Sequence, residues 1–164
     1  MPFHPRCNGG RMMSLQPESY DAIEDEVSPE KAQKPIVKCA AVIIHQRSLL
    51  LTRKRGTDIF ISPGGKPDAG EDHLSCLKRE LQEELGVSVT DIRPFGLFLG
   101  QAAFENRPIE NHVYRVEIAG QPRPCSEIEE LAWVSYRQPP CAVPVGSIFR
   151  DEVMPLLYQQ ELIN

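Results

Sequence analysis

The stretch GKPDAGEDHLSCLKRELQEELGV, residues 65–87, joins a glycine turn to an acidic helix and decides the reading of the whole chain. From His73 to Leu85 no proline or glycine intervenes, and Leu74, Leu77, Leu81 and Leu85 recur at the three-and-four spacing of a helix that buries one stripe. Gly86 stands where a left-handed residue closes such a helix. At about 100° per residue, Glu80, Glu83 and Glu84 share roughly a third of the circumference beside that stripe. Like charges one turn apart repel, and acids in a last turn oppose the helix dipole, so this edge calls for a cation. Hard divalent cations bind oxygen, and Mg²⁺ typically combines one or two carboxylates with waters and substrate phosphates.

The spacing adds specificity. Gly65 is followed after five residues by Glu71, after seven more by Arg79-Glu80-Leu81, then by Glu83-Glu84 and Gly86-Val87. A chance match to all of these positions has a probability on the order of 10⁻⁹ per window at average residue frequencies. The pattern resembles the signature box of the Nudix hydrolases at every specified position. That resemblance implies an α/β fold of the Nudix type, an α/β/α sandwich with a mixed β-sheet between helices. It also implies hydrolysis of a diphosphate linkage in a nucleoside diphosphate derivative with Mg²⁺ or Mn²⁺. The metal set it implies is the Gly65 main-chain carbonyl with Glu80, Glu83 and Glu84. The catalytic set is Arg79, Glu80, Glu83, Glu84 and Glu127. Read from the residues themselves, Glu71 at the helix entrance is placed to accept backbone N–H groups and to pair with Arg79 across two turns, and both scaffold the Glu80 face. The general base varies within the family, so Glu80 and Glu127 both stay open.

Basic groups are expected to meet the diphosphate. Leu49-Leu50-Leu51-Thr52-Arg53-Lys54-Arg55 reads as an apolar strand ending in a basic cluster. Arg53 occupies the position where Nudix relatives often bind phosphate, with Lys66 the next candidate. Ser126–Val134 resembles the acidic loop that precedes a tryptophan-bearing strand in that family; Glu127 fits best and Glu130 second. Trp133 itself reads as a core residue. Asn111 and His112, at the start of a strand, are within reach of a substrate base, although core or surface placement competes. No histidine has ligand spacing to another histidine or cysteine.

Residues 1–34 are polar, acidic in the centre and broken by Pro and Gly, and read as a flexible leader to a Nudix domain over 35–164. Strands are expected at Ile36–Ile44, Leu49–Lys54, Ile59–Ser62, Ile92–Leu99, His112–Ile118 and Leu131–Tyr136. Ser147–Leu162 reads as a closing helix that Pro155 should kink or interrupt. The net charge of −5 argues against nonspecific nucleic-acid binding, and apolar runs are too short to span a membrane. The five cysteines form no CxxC pair, which points to a reducing, cytoplasmic setting. A small nucleoside di- or triphosphate is the leading substrate class. ADP-ribose or another nucleotide sugar is the alternative, and a nucleotide-sensing domain without turnover the alternative of another kind. Nothing in the sequence fixes the oligomeric state.

Overall fold

The computed structural model describes residues 34–138 and 143–164. The leader expected over residues 1–34 therefore lies outside the described residues except for Lys34. The strands are β1 (Ile36–Val42), β2 (Ile44–His45), β3 (Ser48–Lys54), β4 (Phe60–Ile61), β5 (Gly64–Gly65), β6 (Ser88–Gln101), β7 (Pro108–Ala119) and β8 (Ile128–Val134). The helices are α1 (His73–Leu85) and α2 (Met154–Gln159), the latter entered through a π-helical turn over Phe149–Val153.

Hydrogen bonding divides the strands into two four-stranded sheets. The first runs β5-β1-β7-β6, with β1 and β7 parallel and the other pairs antiparallel. In the second, β3 pairs antiparallel with β2, β4 and β8. The expected mixed α/β architecture is present, and side-chain alternation explains why helices cover both faces. Along β1, Cys39 and Ala41 turn to a core containing Leu77, Leu81 and Leu85 of α1. Their neighbours Ala40 and Val42 turn to a second core containing Phe149, Val153 and Leu157. β3 splits in the same way, Leu50 to the first core and Leu49 and Leu51 to the second. A strand buried on both faces reads as the continuous apolar run seen here rather than as an alternation.

Several boundaries differ from expectation, each for a local reason. β6 continues through Pro94 because it is an edge strand and its register shifts between Pro94 and Gly96, where a missing N–H is tolerated. β7 starts at Pro108, so the polar connection shrinks to Ala102–Arg107. At Pro155 the chain stays helical: Met154 N–H bonds Phe149 O, and this wider turn precedes the proline, which enters at the start of α2. Leu74 has the right angle on α1 but lies in its first turn and is 46% exposed, while Cys76 is buried against Cys39. Trp133 is a correction too: it is 41% exposed near the margin of β8, with the His45 ring 5.7 Å away. Among the described residues no helix is long and apolar enough to cross a membrane.

Candidate active site

The glycine turn is built by close approach of backbones. β5 lies antiparallel to β1, with Ala40 opposite Gly64 and Cys39 opposite Gly65, and Ala41 N–H donates to Pro63 O at 2.9 Å. Gly64 has φ +133°, and a Cβ there would overlap the Cys39 carbonyl, so two constraints require glycine. A Cβ on Gly65 would instead fall on the Glu80 carboxylate. The missing side chain of Gly65 is thus the space in which Glu80 sits.

Helix α1 delivers the acids. Asp72 caps it, its Oδ1 accepting from Ser75 N–H at 2.8 Å, and Gly86 closes it in the left-handed conformation at φ 66°. Leu77, Leu81 and Leu85 are fully buried and fix its rotation. Arg79 then gathers the acidic side chains. Its Nε and Nη2 donate to Glu71 at 2.9 and 2.8 Å, and its Nη1 donates to Glu80 at 2.8 Å and to Glu83 at 3.4 Å. Glu71 also accepts from Asp68 N–H at 3.1 Å, tying the loop before the helix to this network.

The Arg79 hydrogen bonds, with that backbone donor, hold the Glu71 carboxyl at about 2, below its ordinary 4.5. A depressed folded-state value means the unfolded chain takes up the proton first as acid is added. Its stabilising contribution is therefore present above about pH 4.5 and lost as pH falls toward 2. Denaturant titrations across that window should show a shallower loss of stability in Glu71→Gln than in the wild type; equal slopes would remove Glu71 from the account.

A cavity of about 350 Å³ opens beside this turn. Its charged lining consists of Lys38, Lys54, Lys66, Glu80, Glu84, Glu105 and Glu127, and its apolar lining includes Ile36, Ile61, Ile109 and Phe149. Glu84 is 2% exposed. Burial pushes its carboxyl up, Glu80 and Glu127 add to that, and Lys38 and Lys54 oppose it. Lys38 donates to Ser62 O at 3.2 Å, and burial pulls its ammonium down against the attraction of Glu84.

The structure separates candidates that the sequence had grouped. Glu80, Glu84, Glu127, Gly65 and Lys66 line the cavity, whereas Glu83 is half-exposed beside Arg79. Arg53 requires a correction. It does not line the cavity: its guanidinium bonds Glu130 at 3.0 Å, Glu129 at 3.2 Å and the Thr57 carbonyl at 3.0 Å, and lies 6.0 Å from the Phe60 ring centroid. Strand alternation turns the next residue, Lys54, to the cavity instead. Glu130 is thereby engaged by Arg53, leaving Glu127 as the acid of that loop at the cavity. Lys66 pairs with Glu105 at 2.9 Å. Lys38 joins the cavity from β1, and a lysine inside the apolar run Ile36–Val42 is the sequence signal for it.

Among the described residues no three acidic, histidine or cysteine side chains converge tightly on one point. A hard cation does not need such a cage, since Mg²⁺ uses few carboxylates and keeps waters. The donors gathered here, the Gly65 carbonyl and the glutamates of α1, are all oxygen, and the Cβ-free space at Gly65 brings turn and helix together. The residues present therefore fit a hard divalent cation.

Comparison with known proteins gives the same frame. A family model of the NUDIX domain matches residues 35–157. The NAD-capped RNA hydrolase NudC of Haemophilus influenzae is 30% identical over 125 residues, covering 71% of this chain and 46% of that protein. The 8-oxo-dGTP diphosphatase of the same organism is 45% identical over 60 residues, covering 33% of this chain and 44% of that one. The chain thus spans about half the length of the curated relatives it matches. The crystal structure of a MutT NUDIX hydrolase from Burkholderia pseudomallei shares the fold, with a TM-score of 0.61 at 22% identity over 78% of this chain and 98% of that one. With the glycine turn, the capped acidic helix and the matched span in agreement, the chain belongs to the NUDIX domain family.

Proposed function

We propose that this protein hydrolyses a diphosphate linkage in a small nucleotide, with a nucleoside di- or triphosphate as the substrate class and Mg²⁺ or Mn²⁺ as cofactor. The observation that carries the proposal is the meeting of Glu80, Glu84 and Glu127 with Lys38, Lys54 and Lys66 around one cavity beside Gly65. Water adds to one phosphorus, the bridging P–O bond breaks, and a cavity glutamate accepts the water's proton. Lys54 and Lys66 supply positive charge to the phosphates, and Arg79 fixes the rotamer of Glu80. A divalent cation held by the Gly65 carbonyl and by Glu80, Glu83 and Glu84 would neutralise phosphate charge and make water more acidic.

The size of the cavity supports one nucleoside-sized group: about 350 Å³ is at the low end of small-ligand sites. The relatives' names, a hydrolase of NAD-capped RNA and an 8-oxo-dGTP diphosphatase, support a nucleotide diphosphate group. The chain's net charge of −5 favours a small nucleotide over a nucleic-acid polymer. Free thiols at Cys39, Cys76 and Cys125 favour a reducing, cytoplasmic setting.

Two measurements test the reading. Purified protein should release orthophosphate or pyrophosphate from at least one member of a nucleotide panel, lose that activity in excess EDTA, and regain it with Mg²⁺ or Mn²⁺; turnover persisting in verified metal-free EDTA refutes the metal role. Among the cations, Lys54→Ala should raise KM several-fold, in keeping with loss of a charge-assisted hydrogen bond, while Arg53→Ala leaves KM near wild type. The reverse pattern would return the phosphate contact to Arg53.

A further inference from the structure

One cavity residue has no part in the hydrolytic chemistry. Asn111 on β7 is 4% exposed, lines the cavity, and carries the one buried side-chain oxygen or nitrogen without a hydrogen-bond partner among the described residues, its Oδ1. It stands directly beside Lys38 in the parallel β1–β7 register, and both residues turn to the cavity. Buried amides are nearly always satisfied, because leaving one unpaired forfeits its hydration without return. An unpaired amide at the wall of a ligand cavity is satisfied most simply by the ligand.

The surroundings narrow what that ligand group is. A carbonyl oxygen repels phosphate, and an amide offers an acceptor beside donors, which complements the edge of a nucleobase where an N–H lies next to an acceptor. Ile36 and Ile109, flanking Lys38 and Asn111 on the same strands, and Phe104 at the cavity supply apolar surface for a planar ring. We infer that Asn111 is the specificity-determining residue of this cavity, hydrogen-bonding the base of the nucleotide whose diphosphate lies at the glutamates. The inference rests on the proposed hydrolase reading and names the part of the substrate that the cavity recognises.

The test reads binding rather than turnover. Full-length protein in EDTA is titrated calorimetrically with AMP, GMP, CMP, UMP and ribose 5-phosphate, for wild type, Asn111→Leu and Asn111→Ala. At least one nucleotide should bind the wild type tighter than ribose 5-phosphate and about tenfold tighter than the weakest-binding of the four nucleotides, and both variants should erase that difference among bases, a scale set by one hydrogen bond with a buried partner. The alanine variant leaves the cavity open, so a shared loss is not steric. Asn111→Leu should melt at or above the wild-type temperature, since leucine of similar volume removes an unsatisfied group. The inference is overturned if base preference survives in both variants, if no nucleotide binds better than ribose 5-phosphate, or if Asn111→Leu melts several degrees lower, as for a structural asparagine. Because neither metal nor turnover enters, a failed binding test leaves hydrolysis standing, and a failed hydrolysis test leaves this one readable.

Discussion

Glu83→Gln is expected to lower kcat by roughly two or more orders of magnitude, the scale of losing a positioned catalytic group, with the fold unchanged. The separation of the two effects follows from its surroundings. Its side chain is 53% exposed, and its hydrogen bond to Arg79, at 3.4 Å, is long for a strong bond, so stability should move by no more than about 0.5 kcal/mol. Glu84→Gln makes a less clean experiment. That carboxylate is buried and faces Lys38 and Lys54, so the amide would lower kcat and also leave Lys38 desolvated without its main opposing charge. Steady-state kinetics with thermal melts on both variants decide the matter. Wild-type kcat in both Glu83→Gln and Glu84→Gln would remove the acidic edge of α1 from catalysis.

What the sequence made legible was set by local chemistry. The span and caps of α1 were readable because Pro and Gly are absent from His73 to Leu85 and because Gly86 supplies the left-handed closure that the structure shows at φ 66°. The pairing of Glu71 with Arg79 was readable from spacing, since both fall on the approach to one helix face. That Lys54 rather than Arg53 lines the cavity was not legible, because β3 is buried on both faces and its apolar run carries no alternation to mark which face the cavity opens on. Lys38 and Asn111 could not be joined from sequence alone. Residues so far apart in the chain become neighbours only through the parallel β1–β7 register, and parallel pairing of distant segments leaves no short-range signature.

Adjacent glycines in the turn should respond to alanine in opposite ways. At Gly64 the new Cβ meets the Cys39 carbonyl, which is backbone in the centre of the first sheet, and the required φ of +133° is strained for any L side chain. Backbone strain of about 1–3 kcal/mol and overpacking of similar size then add, so Gly64→Ala should lose roughly 2–6 kcal/mol of stability or release β5 from β1. At Gly65 the obstacle is the end of the Glu80 side chain, which a rotamer change relieves, and no left-handed φ is required. Gly65→Ala should therefore fold with a melting temperature near that of the wild type. Moving Glu80 breaks its 2.8 Å bond to Arg79 and takes a carboxylate away from the Gly65 carbonyl, so kcat should fall by roughly two orders of magnitude with little change in metal-free nucleotide binding. A Gly65→Ala protein that unfolds as readily as Gly64→Ala would mean that the turn, and not the placement of Glu80, is what requires the second glycine. One that turns over at the wild-type rate would mean that the position of Glu80 against the turn is immaterial to the chemistry.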